Sequence, residues 1–148
     1  TMQMDGGEEY DRDWEQYSAV ESVGIFSGEA NWVATGGADR MLRIWDIANG
    51  NCRITCLHGG SVVSLRWHPR VPVICTGALD RLVRLWDGRS GQLMQQFSGH
   101  MDMVTSIDFK QVSNLAPDGT VQGPPTEVVA SVSDDNTCKI FVITGVIQ

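Results

Sequence analysis

Ile74-Cys75-Thr76-Gly77-Ala78-Leu79-Asp80-Arg81-Leu82-Val83-Arg84-Leu85-Trp86-Asp87 is the stretch that decides the fold. Small and apolar residues run into a tight turn at Ala78 to Arg81, and alternation follows it to Trp-Asp. That is two short strands joined by a turn. The pattern stands upstream as Val33-Ala34-Thr35-Gly36-Gly37-Ala38-Asp39-Arg40-Met41-Leu42-Arg43-Ile44-Trp45-Asp46. A degraded third copy runs Val129-Ala130-Ser131-Val132-Ser133-Asp134-Asp135-Asn136-Thr137-Cys138-Lys139-Ile140-Phe141. Trp45 and Trp86 lie 41 residues apart (86 − 45), inside the period of about 40–45 at which four-stranded sheets repeat around a ring.

Residues 19–145 resemble WD40-repeat proteins on these motifs. The resemblance implies an all-β fold: a β-propeller segment of about three blades, each a four-stranded antiparallel sheet, the third incomplete. An acidic linker, 1–18, precedes blades at 19–57, 58–97 and 98–148. Within each blade the alternation and the turn residues place the strands. Asn49-Gly50 and Gly88-Arg89-Ser90-Gly91 mark tight turns between the third and fourth strands. In the last blade the connection between the first two strands is long. Trp67 to Thr76 spans 9 positions and Phe109 to Ser131 spans 22. The extra residues, 112–126, carry Pro117-Asp118-Gly119 and Gly123-Pro124-Pro125, which read as a mobile polar loop with no strand pairing beyond Phe109.

Charge is unevenly placed. The net charge is −7, and residues 1–21 hold Asp5, Glu8, Glu9, Asp11, Asp13, Glu15 and Glu21 against Arg12 alone, giving −6 there and −1 in the remainder. Such a segment is a solvated linker or an electrostatic lure for a basic partner, such as a ribosomal protein or a histone tail. Its sign argues against direct grip on nucleic acid. No apolar run is long enough for a membrane helix, and no secretory signal opens the chain. The four cysteines, Cys52, Cys56, Cys75 and Cys138, have no metal-site spacing. Cys52 and Cys56 share one face of a strand at about 13 Å, too far for one zinc ion. Reduced thiols, no cofactor and a cytoplasmic or nuclear location follow.

His58, Thr76, Asp80 and Trp86 imitate by residue type a hydroxyl–His–Asp nucleophilic triad. The WD40 resemblance implies instead a structural network. Asp caps the turn, His ties the entering loop to it, and Thr relays to the indole N–H, because buried polar groups must be paired. The first blade offers Thr35, Asp39 and Trp45 with Tyr17 at the His position. The third offers His100, Ser131 and Asp135 with Phe141 replacing Trp. Only the second carries all four types, so the first and third read as the softer blades; because the resemblance assigns the triad-like set to the fold, the chain reads as non-catalytic.

Arg40, Arg43, Arg81 and Arg84 recur in register. Arg40 and Arg81 follow the turn aspartates and form a candidate partner site on that face, or salt-bridge to Asp39 and Asp80. Arg43 and Arg84 read as outward. Trp14, an aromatic among acids, is a further candidate docking contact. Trp86-Asp87-Gly88-Arg89 resembles the WDxR box of substrate receptors that dock on the cullin-4 ubiquitin-ligase adaptor, a resemblance that singles out Asp87 and Arg89. Val20-Glu21-Ser22-Val23-Gly24, Leu85-Trp86-Asp87-Gly88-Arg89-Ser90-Gly91 and Cys138-Lys139-Ile140-Phe141-Val142 resemble the C-terminal repeats of the angio-associated migratory cell protein group, which includes chaperones of ribosomal proteins. That implies an interaction scaffold or assembly factor. Three blades leave two apolar faces, to be covered by the remaining blades of a parent propeller or by a homodimer mate.

Overall fold

The computed structural model describes residues 18–114 and 116–144; the acidic segment with Trp14 and Tyr17 lies outside them. Eleven strands follow in chain order: β1 (Val20–Ile25), β2 (Trp32–Gly37), β3 (Met41–Asp46), β4 (Cys52–Leu57), β5 (Val62–Trp67), β6 (Val73–Ala78), β7 (Val83–Asp87), β8 (Leu93–Phe97), β9 (Val104–Val112), β10 (Thr126–Ser133) and β11 (Cys138–Ile143). They form three antiparallel sheets in the orders β1-β2-β3-β4, β5-β6-β7-β8 and β11-β10-β9, with no helix among the described residues. Each sheet is one blade. Among the described residues the third has three strands, with β11 at its edge.

The blades repeat in register as well as in sequence. Val20 pairs with Gly37 and Ser22 with Gly36; Val62 pairs with Ala78 and Ser64 with Gly77; Val104 pairs with Ser133 and Ser106 with Val132. Each first strand therefore carries a β-bulge at the same place, which sharpens its twist and re-aims its opening valine.

Alternation then sorts the side chains. Leu42, Ile44 and Cys56 of the first sheet meet Leu65, Trp67, Ile74 and Trp86 of the second. The opposite face of the second sheet, with Cys75, Val83 and Leu85, meets Val104, Ile107 and Val129 of the third. Every residue of β6 is buried, as expected of a strand covered on both faces. Trp67 adds a polar tie, its Nε1 donating to the Gly24 carbonyl of the first blade at 3.0 Å.

Two expectations are corrected here. Strand pairing does not stop at Phe109: Lys110, Gln111 and Val112 pair with Val128, Glu127 and Thr126. The β-branched residues continue the ladder until the Pro and Gly residues begin. In the connection beyond, Gln122 N donates to Asn114 O at 2.6 Å and Asn114 Nδ2 donates to Pro124 O at 2.8 Å. Cys52 and Cys56 also do not share a face. Cys52 pairs with Trp45 and Cys56 with Leu42, and a bulge between Ile44 and Trp45 shifts the parity of β4 between them. Cys56 enters the core while Cys52 stays exposed, and all four cysteines are free thiols.

Candidate protein-interaction surfaces and the buried network between blades

The second blade holds a continuous polar chain inside its apolar interface. Trp86 Nε1 donates to Thr76 Oγ1 at 3.0 Å, and Thr76 Oγ1 lies 2.8 Å from His58 Nε2. His58 Nδ1 lies 3.2 Å from the Cys56 carbonyl. A carbonyl only accepts, so Nδ1 carries the proton and Nε2 accepts from the threonine hydroxyl. The imidazole is satisfied as the neutral form. Burial and the nearby Arg84 cation lower its pKa from 6.5 to about 4.

His58 does not bond Asp80, which corrects the expected four-residue link. Asp80 is occupied by Leu82 N at 3.3 Å, by Gly59 N at 3.0 Å and by Arg84 Nη2 at 2.6 Å. The entering loop is tied to Asp80 through the Gly59 amide. Burial raises the Asp80 carboxyl, but the Arg84 contact and the two amides outweigh it and hold it below its ordinary value.

Direct hydroxyl–His–Asp contact occurs instead in the third blade. His100 Nε2 lies 2.7 Å from Ser131 Oγ and its Nδ1 lies 3.0 Å from Asp135 Oδ2. These are the distances of a nucleophilic triad. Ser131 and His100 are nevertheless buried against the second blade, where no substrate reaches the hydroxyl. In the first blade Trp45 Nε1 donates to Thr35 Oγ1 at 2.9 Å, and Tyr17 falls outside the described residues.

Arg43 and Arg84 do not point outward. Arg43 bonds Asp39 at 2.5 Å, and Arg84 shares the network face with Thr76 and Trp86. Across the sheet these positions face the same way as the threonine opposite, so strand parity sends the arginines back to the turn aspartate. Arg40 and Arg81 are left exposed at φ 67° and 72°, with Asn136 equivalent at 66°. This left-handed position in a hairpin turn usually belongs to Gly, and Asn tolerates it better than Arg. Two exposed arginines held in an unfavourable backbone state mark that face as a candidate contact surface.

Asp87 and Arg89 lie at the other end of the blades. The Asp87 carboxylate caps its own turn, accepting from Arg89 N at 2.9 Å and from Ser90 Oγ at 2.9 Å. The Arg89 side chain lines a groove of about 410 Å³ with Phe26, Trp32, Arg70 and Pro72. The candidate partner residues therefore divide between two faces, and Trp14 lies outside the described residues.

One junction escaped the sequence reading. Nδ1 of His68 accepts from Arg70 N and Val71 N, both at 3.2 Å, so Nε2 donates to Glu127 of the third blade at 3.3 Å. Arg70 and Gln111 reach the same carboxylate at 2.7 and 3.1 Å. Its sequence signal was His68-Pro69 in a turn facing the long hairpin, too slight to pair residues so far apart.

The family model for the WD domain, G-beta repeat, matches residues 12–46, 50–87 and 91–141. The chain belongs to the WD40 family. WD40 repeats are in general non-catalytic interaction scaffolds. The chain is similar to the pre-mRNA-splicing factor cwf17 of Schizosaccharomyces pombe, 27% identical over 84% of this chain and 34% of that protein. It is similar to human angio-associated migratory cell protein, 32% identical over 85% of this chain and 26% of that protein. A shorter match, 41% identical over 44 residues, covers 30% of this chain and 6% of the rat ribosome biogenesis protein BOP1. The chain thus spans about a quarter to a third of the first two relatives' length.

Three outcomes are expected. Asp80→Ala leaves Arg84 buried without its carboxylate and costs about 3–5 kcal/mol. Asp39→Ala costs about 1–2 kcal/mol, because the more exposed Arg43 turns to water. Urea unfolding of the two variants measures the difference, and equal losses contradict it. Stability falls as pH drops from 6.5 toward about 4: unfolded His58 takes up a proton that the folded ring resists, a loss of at most about 3 kcal/mol. Above that window the contribution is complete. His58→Gln flattens the slope of urea midpoint against pH there; an unchanged slope rules out His58 as its source. Arg81→Gly relieves the left-handed backbone and raises stability by about 0.5–1 kcal/mol, a gain visible as a higher urea midpoint.

Proposed function

We propose that this chain is an assembly scaffold that holds a basic protein during the building of a ribonucleoprotein particle, in the nucleus and the cytoplasm. The carrying observation is the division of charge. Seven carboxylates and one arginine stand in residues 1–21, beside repeats that are nearly neutral in sum. An acidic segment next to a rigid blade attracts Lys- and Arg-rich chains and leaves the blade faces to decide which one is kept. The relatives named for splicing and for ribosome biogenesis support the setting. Titration of a labelled Lys/Arg-rich peptide onto the full chain tests it, against a variant with Asp5, Glu8, Glu9, Asp11, Asp13 and Glu15 changed to Asn or Gln. Binding weakens about tenfold or more in the variant and fades with added salt. Equal affinity in both proteins refutes the reading.

Arg89 supports a second reading, as a substrate receptor on the cullin-4 ubiquitin-ligase adaptor. With Asp87 engaged in its own turn, the Arg89 guanidinium makes no hydrogen bond or ion pair among the described residues and borders an aromatic-floored groove. Arginine and aromatic side chains that become buried on binding dominate interface energetics. In a pull-down, Arg89→Ala loses the adaptor and keeps the basic peptide if this reading holds; retention of the adaptor removes it.

A further inference from the structure

The two contacts between blades share one steric feature. At the junction of the first and second blades, a Cβ on Gly36 would lie 2.6 Å from Val62 Cγ1, and at the next junction a Cβ on Gly77 would lie 2.7 Å from Val104 Cγ1. Real Cβ contacts essentially never fall under 3.0 Å. Each junction therefore works because the valine that opens one blade nests on a glycine of the blade before it. The register places Val132 where Gly36 and Gly77 stand, paired with Ser106 as they are with Ser22 and Ser64. Val132 is 41% exposed on the open face of the third sheet, beside the exposed Ile140 and Val142.

We infer that this face accepts a further blade whose first strand carries Gly, Ala or Ser where the second and third blades carry Val62 and Val104, and that it rejects a second copy of this chain. A second copy would present its first blade, in which Val20 occupies the equivalent place with the same bulge and the same pairing. Valine against valine puts γ-carbons where even a glycine-to-alanine change is too close. Overpacking of that kind separates the sheets or forces side chains off their rotamers.

Three further positions of the face repeat the first junction, and they favour a blade over a loop or a helix. Ser106 stands where Ser22 donates from Oγ to the Val62 carbonyl at 3.2 Å, and it offers the same donor to the neighbour's first strand. Ala130 and Ile140 stand where Ala34 and Ile44 are buried beneath the second blade. The face departs from the pattern at Cys138, which stands where Leu42 and Val83 do, and at Val132, whose bulk in place of a glycine sets the size of one residue in the occupant.

Sedimentation of the full chain tests this, with wild type, V20A and V132G compared. V20A supplies a blade with a small residue at the critical place, and V132G restores the glycine. Each is expected to associate head to tail on the order of tenfold more tightly than wild type. Adding Ile140→Lys, on the same face, to V20A is expected to abolish the gain. The two single changes lie at opposite ends of the chain, so a folding defect in one leaves the other decisive. The inference is overturned if wild type associates as tightly as both variants, if neither gains, or if the V20A gain survives Ile140→Lys. It concerns the blade interface alone, and loss or retention of the basic peptide does not bear on it.

Discussion

The second sheet is buried on both faces, and that single constraint organises the molecule. A strand such as β6 has no solvent for its polar side chains, so Thr76 must find partners inside. It receives the Trp86 N–H and gives its own proton to His58, which passes the demand to the Cys56 carbonyl at the end of the preceding blade. The chain of donors leaves no group in that line unmatched, and it fixes where the connection between blades must run. Burial also keeps the chemistry inert. Cys56 sits at about 11 and Cys75 is pushed further up by its apolar surroundings, so neither thiol ionises near neutrality.

Polar ties at both ends of the blades complete what apolar packing alone leaves loose. Sheets pressed together by Leu, Val and Ile side chains slide easily, because the hydrophobic effect has no direction. Trp67 donating to Gly24, Ser22 donating to the Val62 carbonyl, and Glu127 gathering His68, Arg70 and Gln111 each hold one blade at one angle to the next. The bulge repeated in β1, β5 and β9 does the same work in the backbone.

The repeat was legible because Trp45 and Trp86 keep one period and one alternation, and because Asn-Gly and Gly-rich turns punctuate it. The face of each strand residue was less legible, for a physical reason. Parity on a strand holds only until a bulge, and the bulge in β4 that separates Cys52 from Cys56 leaves no mark in residue type. Arg84 was misplaced because charge suggested solvent, whereas its position opposite Thr76 sends it into the interface. There it reaches Asp80 and Gln96. The exchange of partners in the polar network follows from that ion pair. With Arg84 on Asp80, His58 turns to a carbonyl; in the third blade Lys139 replaces the arginine and His100 keeps the aspartate.

The same pair of residues consequently means different things in different blades. Arg43 and Asp39 repeat Arg84 and Asp80 in type and spacing, yet the Arg43 side chain is 24% exposed and that of Arg84 is 10% exposed. The difference lies in the cover. The first blade presents its network face, with Val23 and Ile25, to solvent among the described residues, while the second blade's is sealed by Leu42 and Ile44. An ion pair whose cation can turn to water contributes little, and the same pair with its cation under a hydrophobic lid is strongly coupled, because a guanidinium that loses its carboxylate there cannot be resolvated. Covering the first blade would therefore do more than hide apolar surface. It would take the Arg43 guanidinium out of water beside an Asp39 that is already buried, so the stability of this blade depends on the occupancy of its open face.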